Sequence, residues 1–222
     1  LRFENINLSV HSREIVGLYG LLGSGRTEIA NAIFGLSKYK SGTVYTDGKK
    51  AHIRRPKDAI DLGLGLVPEN RREEGLTLGH SVEENLTLVN MMAYTKGRIF
   101  RDSKREAEVA RENVETLGIK TPSLDRLVKY LSGGNQQKVV IAKWVNKNPR
   151  MLIMDEPTRG IDVGAKSEIY DLITGLVSQG MGVLLISSEL NEVCELCDRV
   201  VVLKAGKIVE QFVGDDIQKE KL

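Results

Sequence analysis

Gly20, Gly23 and Gly25 fall within six residues and stand just ahead of Arg26 and Thr27 in the run GLLGSGRTE (20–28). Glycine lets a backbone turn tightly and lay its N–H groups against an anion, and a helix starting there adds a positive end. The spacing G-x-x-x-x-G-[basic]-[Ser/Thr] is that of a loop that cradles phosphates. Gly20, Leu21, Leu22, Gly23, Ser24, Gly25, Arg26, Thr27 and Glu28 form the binding stretch, and the Thr27 hydroxyl is placed to bind magnesium. Arg26 occupies the position where that pattern has lysine. Arginine keeps the positive charge but is longer, planar and forked. Phosphate binding is therefore expected to survive, and fine placement of a transferred phosphoryl group is not. Two other readings use the same residues. One is a glycine turn kept for packing; the other is a dinucleotide-binding turn, with Asp47 ~20 residues downstream as its acid. Asp47 precedes Gly48 in a hairpin signal, which counts against the second.

Two further segments carry chemistry. In LSGGNQ (131–136), Ser132 is placed to cap a helix whose first residues, Gly133 and Gly134, leave N–H groups open to a second anion. On its own such a start is also an ordinary turn. In MLIMDEP (151–157), an apolar run ends in Asp155 and Glu156. An acid at the carboxyl end of a buried parallel strand stands where α/β sheets bind ligands and can hold magnesium through water. Its neighbour Glu156 is placed to orient or deprotonate an attacking water.

The elements that must position these groups follow from periodicity. Residues 1–10 alternate like a half-buried strand, and EIVGLYG (14–20) is a more continuously apolar one. RTEIANAIFGL reads as a helix with Ile29, Ile33 and Leu36 on one side, and GTVYTDGKKAHI as a hairpin. GLGLVPEN (63–70) is a short strand ending at Pro68. SVEENLTLVNMMAY and SKREAEVARENVETLG are helical by period, the latter stopped at Gly118. GVLLIS is a buried strand, and RVVVLKAGKIVEQFV reads as strand, turn, strand. The expected fold is α/β with a mostly parallel central sheet, an N-terminal antiparallel β subdomain and an inserted helical subdomain. The core is expected over 1–69 and 139–222, and the helical subdomain over about 76–134.

Composition narrows the function. The chain has 222 residues, 41% hydrophobic and 28% charged, which suits one domain with a substantial core. With a net charge of +2 and no long basic block, it lacks an electrostatic footprint for nucleic acid. No apolar run approaches the ~20 residues of a membrane-spanning helix. Cys194 and Cys197 are the only cysteines, and no second pair completes a zinc site, so both are expected on one face of a buried helix. The chain does not begin with methionine and opens inside an alternating stretch, as a piece of a longer polypeptide would.

Taken in order, the glycine loop, the Ser-Gly-Gly start and the acid pair resemble the nucleotide-binding domain of ABC transporters, over essentially the whole chain. The phrases GRTE, LSGGNQQK and DEPTRGIDVGAK bring it nearest to the carboxyl-terminal ATP-binding half of bacterial monosaccharide importers of the ribose, galactose and xylose kind. The resemblance implies ATP and Mg2+ as cofactors, with Thr27, Asp155 and Glu69 around the metal and Glu156, Glu69 and Ser188 as the catalytic positions. It implies that Leu131, Ser132, Gly133, Gly134, Asn135 and Gln136 face the ATP of a partner domain. Its implied partners are the amino-terminal half of the same polypeptide, transmembrane permease subunits and, indirectly, an extracytoplasmic sugar-binding protein. Its implied place is the cytoplasmic face of the bacterial membrane, peripherally bound, with residues 75–86 toward the permease.

Against that family the sequence departs three times. Arg26 replaces lysine, Glu69 replaces the glutamine after the strand LGLV, and Ser188 replaces a histidine after GVLLI. His11, His52 and His80 all lie far upstream of that strand and are expected at the surface. The Glu69 charge is expected to need neutralising by magnesium or Arg26. Losing one transition-state donor costs ~3 kcal/mol, or 10²–10³ in rate. The expectation is a site that binds ATP and hydrolyses it weakly, with an intact signature serving the other half. Still open are an ABC-class ATPase outside transport and a nucleotide-responsive module without catalysis; a P-loop kinase has no use for the Ser-Gly-Gly start.

Overall fold

The chain is described by a computed structural model covering residues 3–96 and 100–222. The elements run β1 (Ile15–Tyr19), α1 (Arg26–Phe34), β2 (Val44–Thr46), β3 (Lys49–Ala51), α2 (Pro56–Asp61), β4 (Leu64–Val67), α3 (Val82–Thr87), β5 (Thr95–Lys96) and β6 (Phe100–Arg101). They continue as α4 (Ser103–Thr116), α5 (Gly133–Val145), β7 (Met151–Asp155), α6 (Val163–Ser178), β8 (Gly182–Ser187), α7 (Leu190–Leu196), β9 (Arg199–Lys204) and β10 (Lys207–Val213). Two compact units divide them. One comprises residues 1–66, 149–157 and 174–222, the other 67–148 and 158–173.

The first unit is built on the six-stranded sheet β10-β9-β1-β8-β7-β4. β1 lies parallel to β8 and β9, β7 lies parallel to β8, and β10 closes one edge antiparallel to β9. Every residue of β8 is buried, as are Leu152, Ile153 and Met154 of β7. Strands with both faces shielded are written as unbroken apolar runs, which is why MLIM and GVLLI carry no alternation. α1 packs against β7, and α7 against β1 and β8. The Asp47-Gly48 turn joins β2 to β3 with φ of 49° and 71°, the left-handed pair a two-residue hairpin needs.

Three sequence expectations fail here, each for a local reason. Residues 3–10 form no strand: Asn5 turns into the left-handed region at φ 54°, and the Glu4 N–H donates to Gly206 O at the β9–β10 turn. Leu1 and Arg2 lie outside the described residues. The first helix stops at Phe34 rather than running to Leu36. Gly35 takes φ 80° as its cap, Phe34 is buried in place of Leu36, and Leu36 is 55% exposed. Cys194 lies in α7, but Cys197 falls just past its end in extended backbone. The Cys197 Sγ packs against β1, where a Cβ on Gly17 would come within 2.7 Å of it. Burial pushes the thiol well above its usual range, so Cys197 behaves as an apolar packing group.

In the second unit, α3 packs against both α4 and α5. Val82 and Leu86 of α3, Ala110 of α4 and Val139–Ala142 of α5 form its fully buried centre. α3 starts in a reciprocal capping box: Ser81 Oγ accepts from the Glu84 N–H at 3.1 Å, and Glu84 Oε2 accepts from the Ser81 N–H at 2.8 Å. The expected helix over 81–94 continues past α3 only as a 3₁₀ turn, Leu88–Tyr94, kinked at Asn90. No helix among the described residues is long and apolar enough to cross a membrane.

Candidate functional site

Register decides what meets at the carboxyl edge of the sheet in the first unit. Tyr19 of β1 pairs with Ser187 of β8, and Asp155 of β7 with Ile186. The loop after β1, the two acids ending β7 and Ser188 after β8 are thereby brought to one edge, where ligands of α/β sheets bind. The loop is fixed by backbone bonds: Ser24 N–H to Leu21 O at 3.0 Å, and Gly206 N–H to Ser24 O at 2.9 Å. Gly25, at φ 103°, starts α1 with no side-chain cap, so the first-turn N–H groups of Arg26, Thr27 and Glu28 keep the positive helix end open to an anion. Ser24 Oγ is buried and has no hydrogen-bond partner among the described residues. Leu21 and Leu22 at the loop tip are 82% and 89% exposed.

Gly20 has no room for a side chain. A Cβ there would lie 2.4 Å from Leu203 O and 2.8 Å from Ser24 Oγ. Gly20→Ala is therefore expected to cost about 2 kcal/mol of stability and to displace the loop enough to abolish nucleotide binding. Chemical denaturation and equilibrium binding of a fluorescent ATP analogue measure the two losses; unaltered binding would show that the loop is not the phosphate cradle.

Arg26 is turned inward, 6% exposed, with Nη1 at 3.3 Å from Oε1 of Glu156, itself 10% exposed. Glu156 adopts φ 46°, and its N–H donates to Ile186 O at 2.8 Å, so the chain after Asp155 is held in a conformation non-glycine residues rarely take. Asp155 is 3% exposed at the strand end. Ser188 is exposed, and the preceding Ser187 accepts the Glu189 N–H through Oγ at 3.0 Å. His11, His52 and His80 are all exposed. The described residues contain no group of three or more His, Cys, Asp or Glu able to hold a metal unaided. Magnesium keeps waters and takes substrate phosphates plus one or two protein oxygens. Thr27 and Asp155 are residues of this unit able to supply them.

The second unit holds the other candidates. The Glu69 carboxylate is paired with the Arg159 guanidinium, which supplies a counter-charge within this unit. Glu69, Asn70, Arg71, Arg72 and Arg159 line a cavity of about 320 Å³. Burial first, and then Arg72 beside it, hold the Arg71 guanidinium below its usual range. Ser132 is exposed and caps α5, its Oγ accepting from Asn135 Nδ2 at 2.9 Å and from the Asn135 N–H at 3.4 Å. Asn135 Oδ1 in turn accepts the Lys120 N–H at 2.7 Å. Leu131 and Gly133 are half-buried. Gly134 is buried against α6, where a Cβ would sit 2.6 Å from that of Ala165. Gln136 faces inward, 4% exposed, donating to Val128 O at 3.2 Å, which is a packing role in the helix and not a surface contact. Sequence reasoning missed Arg71, Arg159 and the buried Lys143; no local pattern marks an arginine whose partner lies some ninety residues away.

A glycine loop between a buried strand and a helix, with an acid pair ending the next strand but one of the sheet, makes this a P-loop nucleotide-binding protein. A family model described as ABC transporter matches residues 3–159. The ribose import ATP-binding protein RbsA of Bacillus licheniformis is 46% identical over 221 residues, and that of Bacillus subtilis 45%. In both, the alignment takes in 99% of this chain and 44% of the relative, so the chain spans less than half the length of these proteins. The ATP-binding cassette MJ1267 of an ABC transporter superposes with a TM-score of 0.84 at 25% identity, over 97% of this chain and 87% of its own. The cassette MJ0796 bound to ADP and Pi gives 0.80 at 24% identity, over 95% and 90%, a likeness of fold. The chain belongs to the ABC transporter family, and its P-loop fold with a mostly parallel sheet is the ABC ATPase fold.

Proposed function

We propose that this chain is the second, degenerate ATP-binding half of the ATPase of a monosaccharide importer. It binds Mg2+–ATP at residues 20–28, hydrolyses it weakly, and offers Leu131–Asn135 to the ATP held by the other half. That half belongs to the same polypeptide, and together they drive permease subunits fed by an extracytoplasmic sugar-binding protein, from the cytoplasmic face of the membrane.

The Arg26–Glu156 pair carries the reading. The side chain that has to reach the terminal phosphates is held by the carboxylate that has to activate water. A bound triphosphate competes for the guanidinium, since arginine pairs phosphate bidentately, and the proton acceptor then loses its counter-charge inside a buried site. Arg26 and Ser188 leave the chain without the lysine and histidine that the family places at the γ-phosphate. The exposed Ser132 and the glycine start of α5 keep the amides that a partner's phosphate needs.

In the complete two-half ATPase, Glu156→Gln is expected to change transport-coupled turnover by less than about twofold, while removing the matching acid of the other half abolishes it. The reverse pattern would overturn the asymmetry.

A further inference from the structure

Arg71 lies just after Glu69, opening a π turn (Arg71–Gly75). Its guanidinium reaches across 88 residues of sequence and forks on two successive carbonyls, Nη1 donating to Arg159 O at 2.8 Å and Nη2 to Gly160 O at 3.3 Å. The first residue of α5 lies against the same fork. A Cβ on Gly133 would come within 2.9 Å of Arg71 Nη2 and 3.5 Å of Gly160 O. Two further ties bind the same pieces: the Arg159 side chain to Glu69, and Lys143 Nζ of α5 to Gly75 O at the end of the π turn. Arg71 Nε is buried with no hydrogen-bond partner among the described residues, so the fork on the two carbonyls is what the guanidinium contributes there.

We infer that Arg71 is a positioning residue: it clamps the turn at Arg159–Gly160 and the glycine start of the signature helix to the segment that follows Glu69, so that these three stretches hold one geometry. The inference rests on the proposed role of the signature toward the other half's ATP. The planar guanidinium sets two nitrogens at a fixed separation on two successive carbonyls; a lysine ammonium is a single point on a flexible stem and holds the same pair with far less geometric constraint. Glycine at 133 is then required by the clamp as well as by any ligand, because a larger residue would push the guanidinium off Gly160.

The test uses Arg71→Ala and Arg71→Lys in the complete two-half ATPase, read by amide hydrogen exchange and by ATP turnover. Exchange is expected to rise about tenfold or more at Ile161, whose N–H donates to Thr158 O, and at 135–136, whose N–H groups donate to Ser132, in both variants, with the strands of the sheet unchanged. The kcat is expected to fall ~10- to 100-fold with KM for ATP little altered, as when catalytic groups are misplaced without loss of binding. A general folding defect would instead raise exchange throughout. Unchanged exchange at both stretches overturns the clamp whatever the turnover. Ser132→Arg serves as control. If it abolishes turnover while Arg71→Ala, with faster exchange, leaves it intact, Arg71 does not position the chemistry. If Ser132→Arg itself leaves turnover intact, the signature reading fails, and exchange alone decides the clamp.

Discussion

Changing Arg26→Lys, Glu69→Gln and Ser188→His together is expected to raise hydrolysis at this chain's own P-loop by about 10²–10³-fold, the usual worth of a transition-state donor placed at developing charge. The Arg26 guanidinium and the Glu156 carboxylate sit 3.3 Å apart and nearly out of solvent, a pair that burial strengthens. A lysine is a compact point charge on a flexible stem, and it lets the carboxylate go more readily when phosphate arrives. Ser188 stands exposed after the fully buried β8, so a longer imidazole there meets no wall of packed side chains. The measurement is phosphate release in single turnover with the other half's acid removed. The gain should vanish when Glu156→Gln is added. Binding without any gain would mean that some other feature silences the site.

Raising the pH from about 8 to 10.5 is expected to stabilise the parent chain relative to Lys143→Met by about 3 kcal/mol. Burial pulls the Lys143 ammonium down from 10.5 to about 8. The side chain is 7% exposed, with Nζ bonded to Gly75 O and 5.8 Å from the centre of the Trp144 ring. Below pH 8 the lysine is charged in both states, and the folded state bears the cost of burying it. Between 8 and 10.5 the folded lysine has shed its proton while the unfolded one retains it. The unfolded chain binds more protons there, so stability climbs with pH and levels off above 10.5. Each pH unit is worth ~1.36 kcal/mol, which sets the total. Urea unfolding of both proteins across that range gives the difference directly, and parallel curves would show that the ammonium is not desolvated.

The glycine loop, the acid pair and the buried strands were legible because each is local: a glycine spacing, an apolar run, a proline after two acids. The hairpin at Asp47-Gly48 was legible for the same reason, since two residues dictate its turn. What escaped depends on distance or on competition. Residues 3–10 have the alternation of a strand, yet alternation supplies no neighbour to pair with, and Asn5 breaks the extended line. The first helix has apolar residues at the right period through Leu36, but Gly35 adopts its cap conformation first. Gln136 reads as part of an exposed signature, and only the turn of α5 carries it inward to Val128. Arg159 and Arg71 look like two more surface cations. Their contacts are a property of the folded unit that brings 159–160 beside 69–71.

The bond between Glu69 and Arg159 also couples two positions ninety residues apart in the chain. Glu69→Gln alone leaves three arginines and no acid among the residues lining the cavity, and loss of Arg159 alone leaves the carboxylate facing Arg71 and Arg72. Arg159 is 61% exposed and Glu69 34%, so water softens either loss to within ~1 kcal/mol. The pair therefore acts as a local latch on charge balance and not as a pillar of the fold.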